Sequence, residues 1–415
     1  MVGVDLGDGR GGSADSLREL EDLSVSAGLS VADRLSFRQA KPTAPLLLGK
    51  GKVESLRDLA QRDKADVLVF ESDLSSSQQR NIEEIVQTKT IDRTQLILDI
   101  FALRACSTEG KLQVELAQLK YLLPRLSGKG IFLSRLGGGV GTRGPGEQKL
   151  EMDRRRIRER IARLERDLRE LDRRRLAAIH RKKEKNFPLL ALVGYTHAGK
   201  SSLFNALTGS SSPVRHKLFS TLDTSTRLVA LPANQKALLV DTVGFIRDLP
   251  HGLVESFKAT LEEAVHADLL IHVMDATHPD LPLIEKTVHQ VLEELGAGEK
   301  KTFTVFNKVD LLRKNEREEL SRNGRWGHAI PVSALTGEGV EILASRLSQS
   351  LSEERLSRQF YIPREHLSLA RFLYEEGEVT QKKEEPEGVH FTVNLSPKLA
   401  GVFERRLLKE RIRSA

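Results

Sequence analysis

The sequence predicts an α/β protein with a mainly parallel sheet at its centre. Apolar segments of strand length alternate with helical segments from residue 187 to about residue 350, and glycine-rich turns follow several of these strands. Upstream, two helices with matching leucine stripes interrupt the α/β pattern. The predicted domains are an N-terminal α/β subdomain over 1–108, an antiparallel helical hairpin over 109–186, a central α/β domain over 187–352 and a small α+β domain over 353–415.

The composition excludes several classes of protein. Cys106 is the only cysteine in the sequence, which excludes an internal disulfide and a cysteine-based zinc or iron–sulfur site. No apolar run approaches the roughly 18–20 residues of a membrane helix. The segment Met1–Asp5 lacks the basic and apolar residues that open a signal peptide. We therefore expect a cytoplasmic protein without a membrane span, and we expect a monomer.

Residues 1–108 alternate helix-like and strand-like segments, as is typical of a small α/β subdomain. The predicted helices are Ser13–Leu23, Lys52–Gln61, Ser75–Gln87 and Thr94–Leu103. The predicted strands are Leu29–Phe37 and Asp66–Phe70. We find no catalytic signature in this part of the sequence.

The hairpin is predicted from two apolar stripes with heptad-like spacing. The first stripe is Leu112, Leu116, Leu119, Leu123 and Leu126. The second is Leu150, Ile157, Ile161, Leu164, Leu168 and Leu171. Pro124 is expected to end or kink the first helix near its last turn.

The net charge of +7 is concentrated on this hairpin. Residues 151–185 hold 15 basic and 8 acidic side chains, a surplus equal to that of the whole chain. A solvated helix face and a flexible linker are the ordinary explanations, but the loop 127–149 is rich in glycine and carries arginines. Such a loop on a basic stalk favours contact with a polyanion such as RNA. The candidate RNA contacts are Arg135, Gly137, Gly138, Gly139, Gly141, Arg143, Gly144 and Gly146.

A phosphate-binding loop follows the first strand of the central domain. Residues 194–201 match G-x4-G-K-[ST], between an apolar strand at Leu189–Val193 and a helix at Ser202–Leu207. In such a loop Lys200 reaches the β- and γ-phosphates and the Ser201 hydroxyl binds Mg²⁺. The candidate residues of the loop are Gly194, Tyr195, Thr196, His197, Ala198, Gly199, Lys200, Ser201 and Ser202.

Three further motifs occur in the order that a GTPase requires, each after a predicted strand. Asp241, Thr242, Val243 and Gly244 follow the strand Ala237–Val240; the aspartate would hold Mg²⁺ through water, and the Gly244 N–H would sense the γ-phosphate. The phosphate-binding loop, this motif and the two motifs described next together predict a P-loop GTPase domain.

The other two motifs would bind guanine. Asn307, Lys308, Val309 and Asp310 follow the strand Phe303–Phe306. Asp310 can accept from N1–H and the exocyclic amine of guanine, Asn307 braces the pocket, and the Lys308 stem can cover the base. After Ala329–Val332, the segment Ser333, Ala334 and Leu335 would offer a backbone N–H to guanine O6.

The loop that senses the γ-phosphate is assigned to Phe219, Ser220, Thr221, Leu222 and Asp223. Thr221 is the preferred threonine for closing over Mg²⁺, with Thr224 and Ser225 as rivals. The catalytic candidates are Lys200, Thr221 and Gly244, and the metal candidates are Ser201, Thr221 and, through water, Asp241. Phe245 stands where Ras-like enzymes have a water-orienting glutamine, so we expect slow intrinsic hydrolysis that a partner stimulates.

The chain resembles the HflX family of ribosome-associated GTPases in the Obg-related branch. The resemblance spans roughly residues 15–395. Its supporting segments are Ile91–Thr94, Gly110–Leu119, Gly144–Glu147 and Asp241–Arg247 (DTVGFIR), and the specific ones are the glutamine-rich helix at 110–119 and the R-G-P-G-E loop at 143–147. It implies a hairpin loop that reaches the peptidyl-transferase region of the large ribosomal subunit, and a protein that splits stalled or idle ribosomes.

The chain departs from the family pattern at several positions. His197 replaces an asparagine that, in related GTPases, helps to bind a K⁺ ion; an imidazole is a poor K⁺ ligand, so K⁺ stimulation is in doubt. Ser202 replaces a threonine, the L-D-P-T segment reads Leu222–Ser225, and Gln148–Lys149 replaces Thr-Gln.

Two functions remain open. The first is a GTPase that binds the large subunit and its rRNA, with GTP, GDP and Mg²⁺ as ligands. The alternative is a signalling switch that recruits a protein effector through the hairpin. A phosphate-loop kinase is disfavoured because kinases lack the guanine-selecting motif at 307–310.

Overall fold

The fold is taken from a computed structural model. The residues that it describes are 1–5, 14–39, 41–126, 145–184, 187–210, 219, 225–247, 263–322, 326–352, 356–395 and 397–410. They form two units. The first comprises the described residues of Met1–Arg173 together with Phe219 and Arg247, and the second comprises those of Arg174–Val214, Thr224–Ile246 and Thr260–Ala415.

The first unit contains a four-stranded parallel sheet in the order β2-β1-β3-β4. Its strands are β1 (Val2–Asp5), β2 (Leu35–Arg38), β3 (Val67–Phe70) and β4 (Lys89–Asp92). Its helices are α1 (Ala14–Ser26), α2 (Lys50–Arg62), α3 (Ser76–Val86) and α4 (Arg93–Arg104). The sequence did not predict β1 or β4, and it predicted a longer strand where only β2 forms.

Two helices, α5 (Thr108–Arg125) and α6 (Pro145–Glu184), form the predicted hairpin. Their leucine stripes pack together in one cluster. Its members are Leu112, Leu116, Leu119, Ile161, Leu164 and Leu168. The Arg160 guanidinium donates from Nε and Nη2 to the two carboxylate oxygens of Glu115, at 2.7 Å each. Burial of apolar stripes and this paired hydrogen bond hold the two helices side by side.

The loop predicted at the tip of the hairpin, residues 127–149, needs one correction. The second helix begins at Pro145, so Gly146 lies in its first turn rather than in the loop. Proline suits the first position of a helix because its fixed φ is helical and its missing N–H would have no partner there. At the other end of the loop, α5 ends at Arg125, one residue after Pro124, in agreement with the expectation that this proline ends or kinks the helix near its last turn.

A buried carboxylate fixes the C-terminal end of α5 to the first sheet. Asp92, which is 0% exposed at the end of β4, accepts from Tyr121 Oη at 2.8 Å and from Arg125 Nη2 at 3.0 Å. The Arg125 guanidinium lies over the Tyr121 ring at 3.4 Å and also donates to Leu74 O at 2.8 Å. Burial, followed by the neighbouring Asp92 charge, raises the pKa of Tyr121, so the phenol stays protonated. The end of α5 is therefore held at the carboxyl edge of the sheet.

The second unit contains a six-stranded sheet in the order β10-β9-β8-β5-β7-β6. The strands are β5 (Leu189–Val193), β6 (Ser225–Leu231), β7 (Gln235–Asp241), β8 (Leu269–Asp275), β9 (Thr302–Asn307) and β10 (Ile330–Pro331). The helices are α7 (Lys200–Thr208), α8 (Leu281–Glu294), α9 (Lys314–Arg322) and α10 (Val340–Ser352). All neighbouring strands run parallel except β6, which pairs antiparallel with β7 at the edge. The predicted fold class is confirmed.

The second unit also contains a three-stranded antiparallel sheet in the order β11-β13-β12. Its elements are β11 (Leu356–Pro363), α11 (Ala370–Glu376), β12 (Glu378–Glu385), β13 (Gly388–Leu395) and α12 (Pro397–Lys409). The helix α12 is rich in basic residues. Its Phe403 is fully buried, and the Phe403 ring centroid lies 4.8 Å from that of Phe360. In the parts of the chain that the structure describes, no helix is long and apolar enough to cross a membrane.

A histidine is buried in the six-stranded sheet. His272 on β8 is 1% exposed, and its ring centroid lies 6.0 Å from that of His289 on α8. Burial, with smaller contributions from the neighbouring His289 and Lys200, lowers the pKa of His272 to about 3. His272 is therefore neutral in the folded protein, whereas an exposed histidine in the unfolded chain titrates near pH 6.5.

His272 makes the folded protein sensitive to acid. Because the unfolded state binds the proton first, the free energy of unfolding should fall by about 2 kcal/mol between pH 7 and pH 5 on account of this residue alone. The His272→Leu variant should lose that part of the decrease, as measured by urea unfolding at both pH values. The His328→Gln variant, which removes an exposed histidine, serves as the control. Equal pH dependence in wild type and His272→Leu would contradict the expectation.

Candidate nucleotide-binding site

The loop between β5 and α7 surrounds a buried ammonium group. Lys200, the first residue of α7, is 7% exposed and donates from Nζ to Gly194 O at 3.0 Å and to Tyr195 O at 2.8 Å. Burial lowers the pKa of Lys200 to about 8, and the charge of Asp241 opposes that decrease. The carbonyl oxygens thus hold a cation at the N-terminus of a helix, where backbone N–H groups also favour an anion.

Only glycine fits at position 199 of this loop. Gly199 has φ +89°, and a Cβ on it would lie 2.1 Å from Asn307 Nδ2. The loop therefore passes directly over the end of β9, which brings two of the predicted motifs into contact. His197, in the same loop, is exposed and has φ +60°, in the left-handed region.

Ser201 and Asp241 lie together beside Lys200. The Ser201 hydroxyl donates to Asp241 Oδ2 at 2.7 Å, and Asp241 is 3% exposed at the end of β7. Next to it, the Thr242 hydroxyl donates to Leu192 O at 2.6 Å and fixes the chain after β7 against β5. A hydroxyl and a carboxylate oxygen are the hard ligands that Mg²⁺ accepts alongside phosphate oxygens and water. The residues present therefore fit Mg²⁺.

The segment after Asp241 is paired with the phosphate loop through its backbone. Phe245 N donates to Gly194 O at 3.1 Å, and Thr196 N donates to Phe245 O at 2.8 Å. A Cβ on Gly244 would lie 2.9 Å from Thr196 Cγ2 and 3.0 Å from Lys200 Nζ. The Gly244 backbone thus lies beside the buried ammonium group, while the Phe245 side chain is 0% exposed in the core.

The Asn307 side chain joins three motifs. Its Nδ2 donates to Ala198 O in the phosphate loop at 2.8 Å, and its Oδ1 accepts from Ala334 N at 3.0 Å. Asn307 is 2% exposed, so both bonds are shielded from water. Ser333, the residue before Ala334, is also fully buried and accepts from Thr336 N at 3.1 Å.

The residues after Asn307 form a short 3-10 turn, Val309–Leu311, that contains Asp310. Lys308 adopts the left-handed region with φ +65°, and its Nζ lies 2.6 Å from Asp275 Oδ2. Leu335, the residue after Ala334 in the last motif, is 86% exposed. Sequence reasoning missed Asp275, although an acid that directly follows the apolar strand segment Leu269–Met274 was a signal for it.

Several predicted residues lie outside the described part of the chain. They are Ser220, Thr221, Leu222, Asp223, Thr224, Arg135, Gly137, Gly138, Gly139, Gly141, Arg143 and Gly144. Ser225 is the first residue of β6. Phe219 is described and belongs to the first unit, where its ring centroid lies 4.5 Å from that of Phe101.

The parallel sheet, the phosphate loop with its buried lysine and the asparagine-linked motifs define a P-loop GTPase. Comparison with protein families agrees. Residues 14–102 match the family described as "GTP-binding GTPase N-terminal", 104–182 the "GTP-binding GTPase Middle Region", 189–308 the "50S ribosome-binding GTPase" and 320–414 the "HflX C-terminal domain". The chain belongs to the HflX family, and the resemblance seen in the sequence is confirmed.

Curated relatives cover most of the chain. The chain is 46% identical over 375 residues to a "GTPase HflX" of Caldanaerobacter subterraneus, covering 90% of this chain and 86% of the relative. It is 38% identical over 401 residues to the "GTPase HflX" of Escherichia coli K12, covering 95% and 92%. Among solved structures, a GTP-binding protein from Sulfolobus solfataricus in complex with GDP is 26% identical with a TM-score of 0.43, covering 85% of this chain and 98% of that one. Membership of the HflX family makes the protein a GTPase, which binds guanine nucleotide and hydrolyses GTP.

The lowered pKa of Lys200 predicts a pH dependence of nucleotide binding. Only the ammonium form attracts phosphate, and without nucleotide this form is lost above about pH 8. The Kd for GDP should therefore rise about fourfold between pH 7 and pH 8.5, as measured by titration calorimetry.

The matched variant is Lys200→Arg, whose guanidinium stays protonated over this range. This variant should bind GDP more weakly than the wild type, but its Kd should not change with pH. A wild-type Kd that stays constant over the same range would contradict the assignment of a neutral fraction to Lys200.

Proposed function

We propose that this GTPase binds the large ribosomal subunit through the tip of its helical hairpin and promotes the dissociation of stalled or idle ribosomes. The observation that carries the proposal is the concentration of positive charge on the hairpin. Within the HflX family, the description "50S ribosome-binding GTPase" for residues 189–308 points to the same partner.

The stalk of the hairpin offers a long basic surface. Helix α6 has 40 residues, which corresponds to about 60 Å at 1.5 Å per residue. On the face opposite the leucine stripe, the exposed arginines include Arg155, Arg166, Arg169 and Arg173. Arginines spaced along one helix face suit the regularly spaced phosphates of an RNA strand.

The base of the tip loop is firmly held. The Asp92 network fixes Arg125, the last residue of α5, and the loop sequence begins two residues later. The end of α5 that precedes the loop is therefore fixed to the first sheet, as a stalk that presents a loop to a partner requires.

The alternative function, recruitment of a protein effector through the hairpin, has less support. That function would use the leucine stripes as a coiled-coil surface. The stripes instead pack against each other, and Leu164 and Leu168 are 0% and 7% exposed. The surface left for a partner is basic, which favours a polyanion.

In the proposed hydrolytic cycle, Lys200 binds the β- and γ-phosphates, and Asp310 selects guanine. Mg²⁺, held by Ser201, Thr221 and, through water, Asp241, would neutralise the phosphate charge. The Gly244 N–H, beside Lys200, would bind the γ-phosphate and report its presence. Since the ribosome must bind one nucleotide state better than the other, this segment is the element that couples nucleotide to partner.

Intrinsic hydrolysis is proposed to be slow. The side chain at position 245 is a buried phenylalanine, which offers no polar group to orient water. An exposed imidazole at position 197 offers no carboxamide oxygen to a K⁺ ion. Acceleration is therefore expected from the partner rather than from K⁺.

The proposal predicts that the tip, and not the nucleotide site, carries the ribosome effect. Replacing 137–146 by a short serine linker should abolish cosedimentation with large subunits in a non-hydrolysable GTP analogue, and it should abolish subunit splitting. GTP binding without ribosomes should be unchanged.

A charge variant with its own control sharpens this test. Arg135→Gln/Arg143→Gln should weaken cosedimentation and reduce its salt dependence, because fewer phosphates are neutralised. Lys382→Gln/Lys383→Gln removes two exposed charges from β12 and should have no effect. Splitting that persists without 137–146 would overturn the assignment of the tip, and salt-insensitive binding to a protein without rRNA would favour the effector function.

A further inference from the structure

The strongest unassigned feature of the nucleotide site is an ion pair at the guanine end. Asp275 is the last residue of β8, and the backbone register places it opposite Asn307 on β9. Its Oδ2 lies 2.6 Å from Lys308 Nζ, and the two side chains are 20% and 32% exposed. A partly buried pair loses less strength to solvent than a pair on the open surface.

The carboxylate is itself held in one orientation. Asp275 Oδ1 accepts from Thr277 N at 3.0 Å and from the Thr277 hydroxyl at 2.7 Å. The neighbouring Ala276 N donates to Asn307 O at 2.9 Å, which ties the same turn to the guanine motif. One oxygen thus fixes the turn after β8, and the other is directed at the lysine.

Lys308 needs such a restraint. Its backbone is in the left-handed region, with φ +65°, and four flexible methylene groups separate that backbone from the ammonium group. Left-handed backbone is uncommon for lysine, and a free lysine side chain samples many rotamers. Anchoring the ammonium group to Asp275 restricts the rotamers that the apolar stem can adopt.

We propose that Asp275 is a positioning residue for the purine ring: it holds the stem of Lys308 where the stem covers the face of the base. The proposal rests on the assignment of residues 307–310 as the guanine motif. The proposal separates two contributions to nucleotide binding. Asp310 reads the edge of the base and gives selectivity for guanine, whereas the Asp275–Lys308 pair acts on the face of the ring and strengthens binding of any purine nucleotide.

The test uses Asp275→Asn with GDP and IDP as the probes. Asparagine keeps an oxygen for Thr277 but places an amide beside the ammonium group, so the turn is retained and the ion pair is lost. The Kd values for GDP and IDP should both rise by about three- to tenfold with an unchanged ratio. The KM for GTP should rise similarly, with kcat at saturation unchanged.

A double-mutant cycle distinguishes positioning from a purely structural role. Lys308→Met retains an unbranched apolar stem without the charge, so Asp275→Asn should weaken binding in the wild type and have no further effect in Lys308→Met. The matched control is Asp280→Asn, which removes the same charge five residues away where the aspartate caps α8 by accepting from Leu283 N at 3.1 Å. It should bind both nucleotides like the wild type.

Three results would overturn the proposal. They are an unchanged Kd in Asp275→Asn, an equal loss in the Lys308→Met background, and a changed ratio of the GDP and IDP constants. If the wild type itself bound GDP and IDP equally, the guanine assignment of residues 307–310 would fail first, and this proposal would fail with it.

Discussion

The nucleotide site depends on one side-chain amide. Asn307 donates to the phosphate loop at Ala198 O and accepts from Ala334 N, so one buried residue connects the loop for the phosphates with the loop for the base. Gly199 lies so close to this amide that any side chain there would collide with it. Each loop is short and cannot pack a core of its own, and the relative position of the two therefore follows from the geometry of Asn307.

A second buried polar group has a similar role in the first unit. Asp92 collects hydrogen bonds from Tyr121, Arg125, Gln95 N and Leu74 N, and a carboxylate with this many donors is costly to disturb. The network holds the C-terminal end of α5 against the first sheet. The charge surplus indicates a surface for a polyanion, and part of that surface lies on the loop that follows this fixed helix end.

Much of the site could be predicted because its motifs are local. A phosphate loop needs contiguous residues after a buried strand, so Leu189–Val193 and the loop that follows could be read from the sequence. The strand before Asp275 marked its position, but its pairing could not be predicted, because Lys308 follows a different strand and only the sheet brings the two side chains together. The strand Lys89–Asp92 has only four residues, which is too short for a periodic pattern to be recognised. In α12 the many basic residues made it difficult to recognise the apolar face that buries Phe403.

The Asn307→Ala variant tests most directly whether this amide organises the site. Truncation leaves Ala198 O and Ala334 N without their buried partner, so the free energy of unfolding without nucleotide should fall by about 2–4 kcal/mol. The Kd for GDP should rise at least about a hundredfold, since 1.4 kcal/mol corresponds to tenfold. Asn394→Ala, which removes an amide from β13, should leave that Kd unchanged. A GDP affinity in Asn307→Ala that matches the wild type would contradict the account.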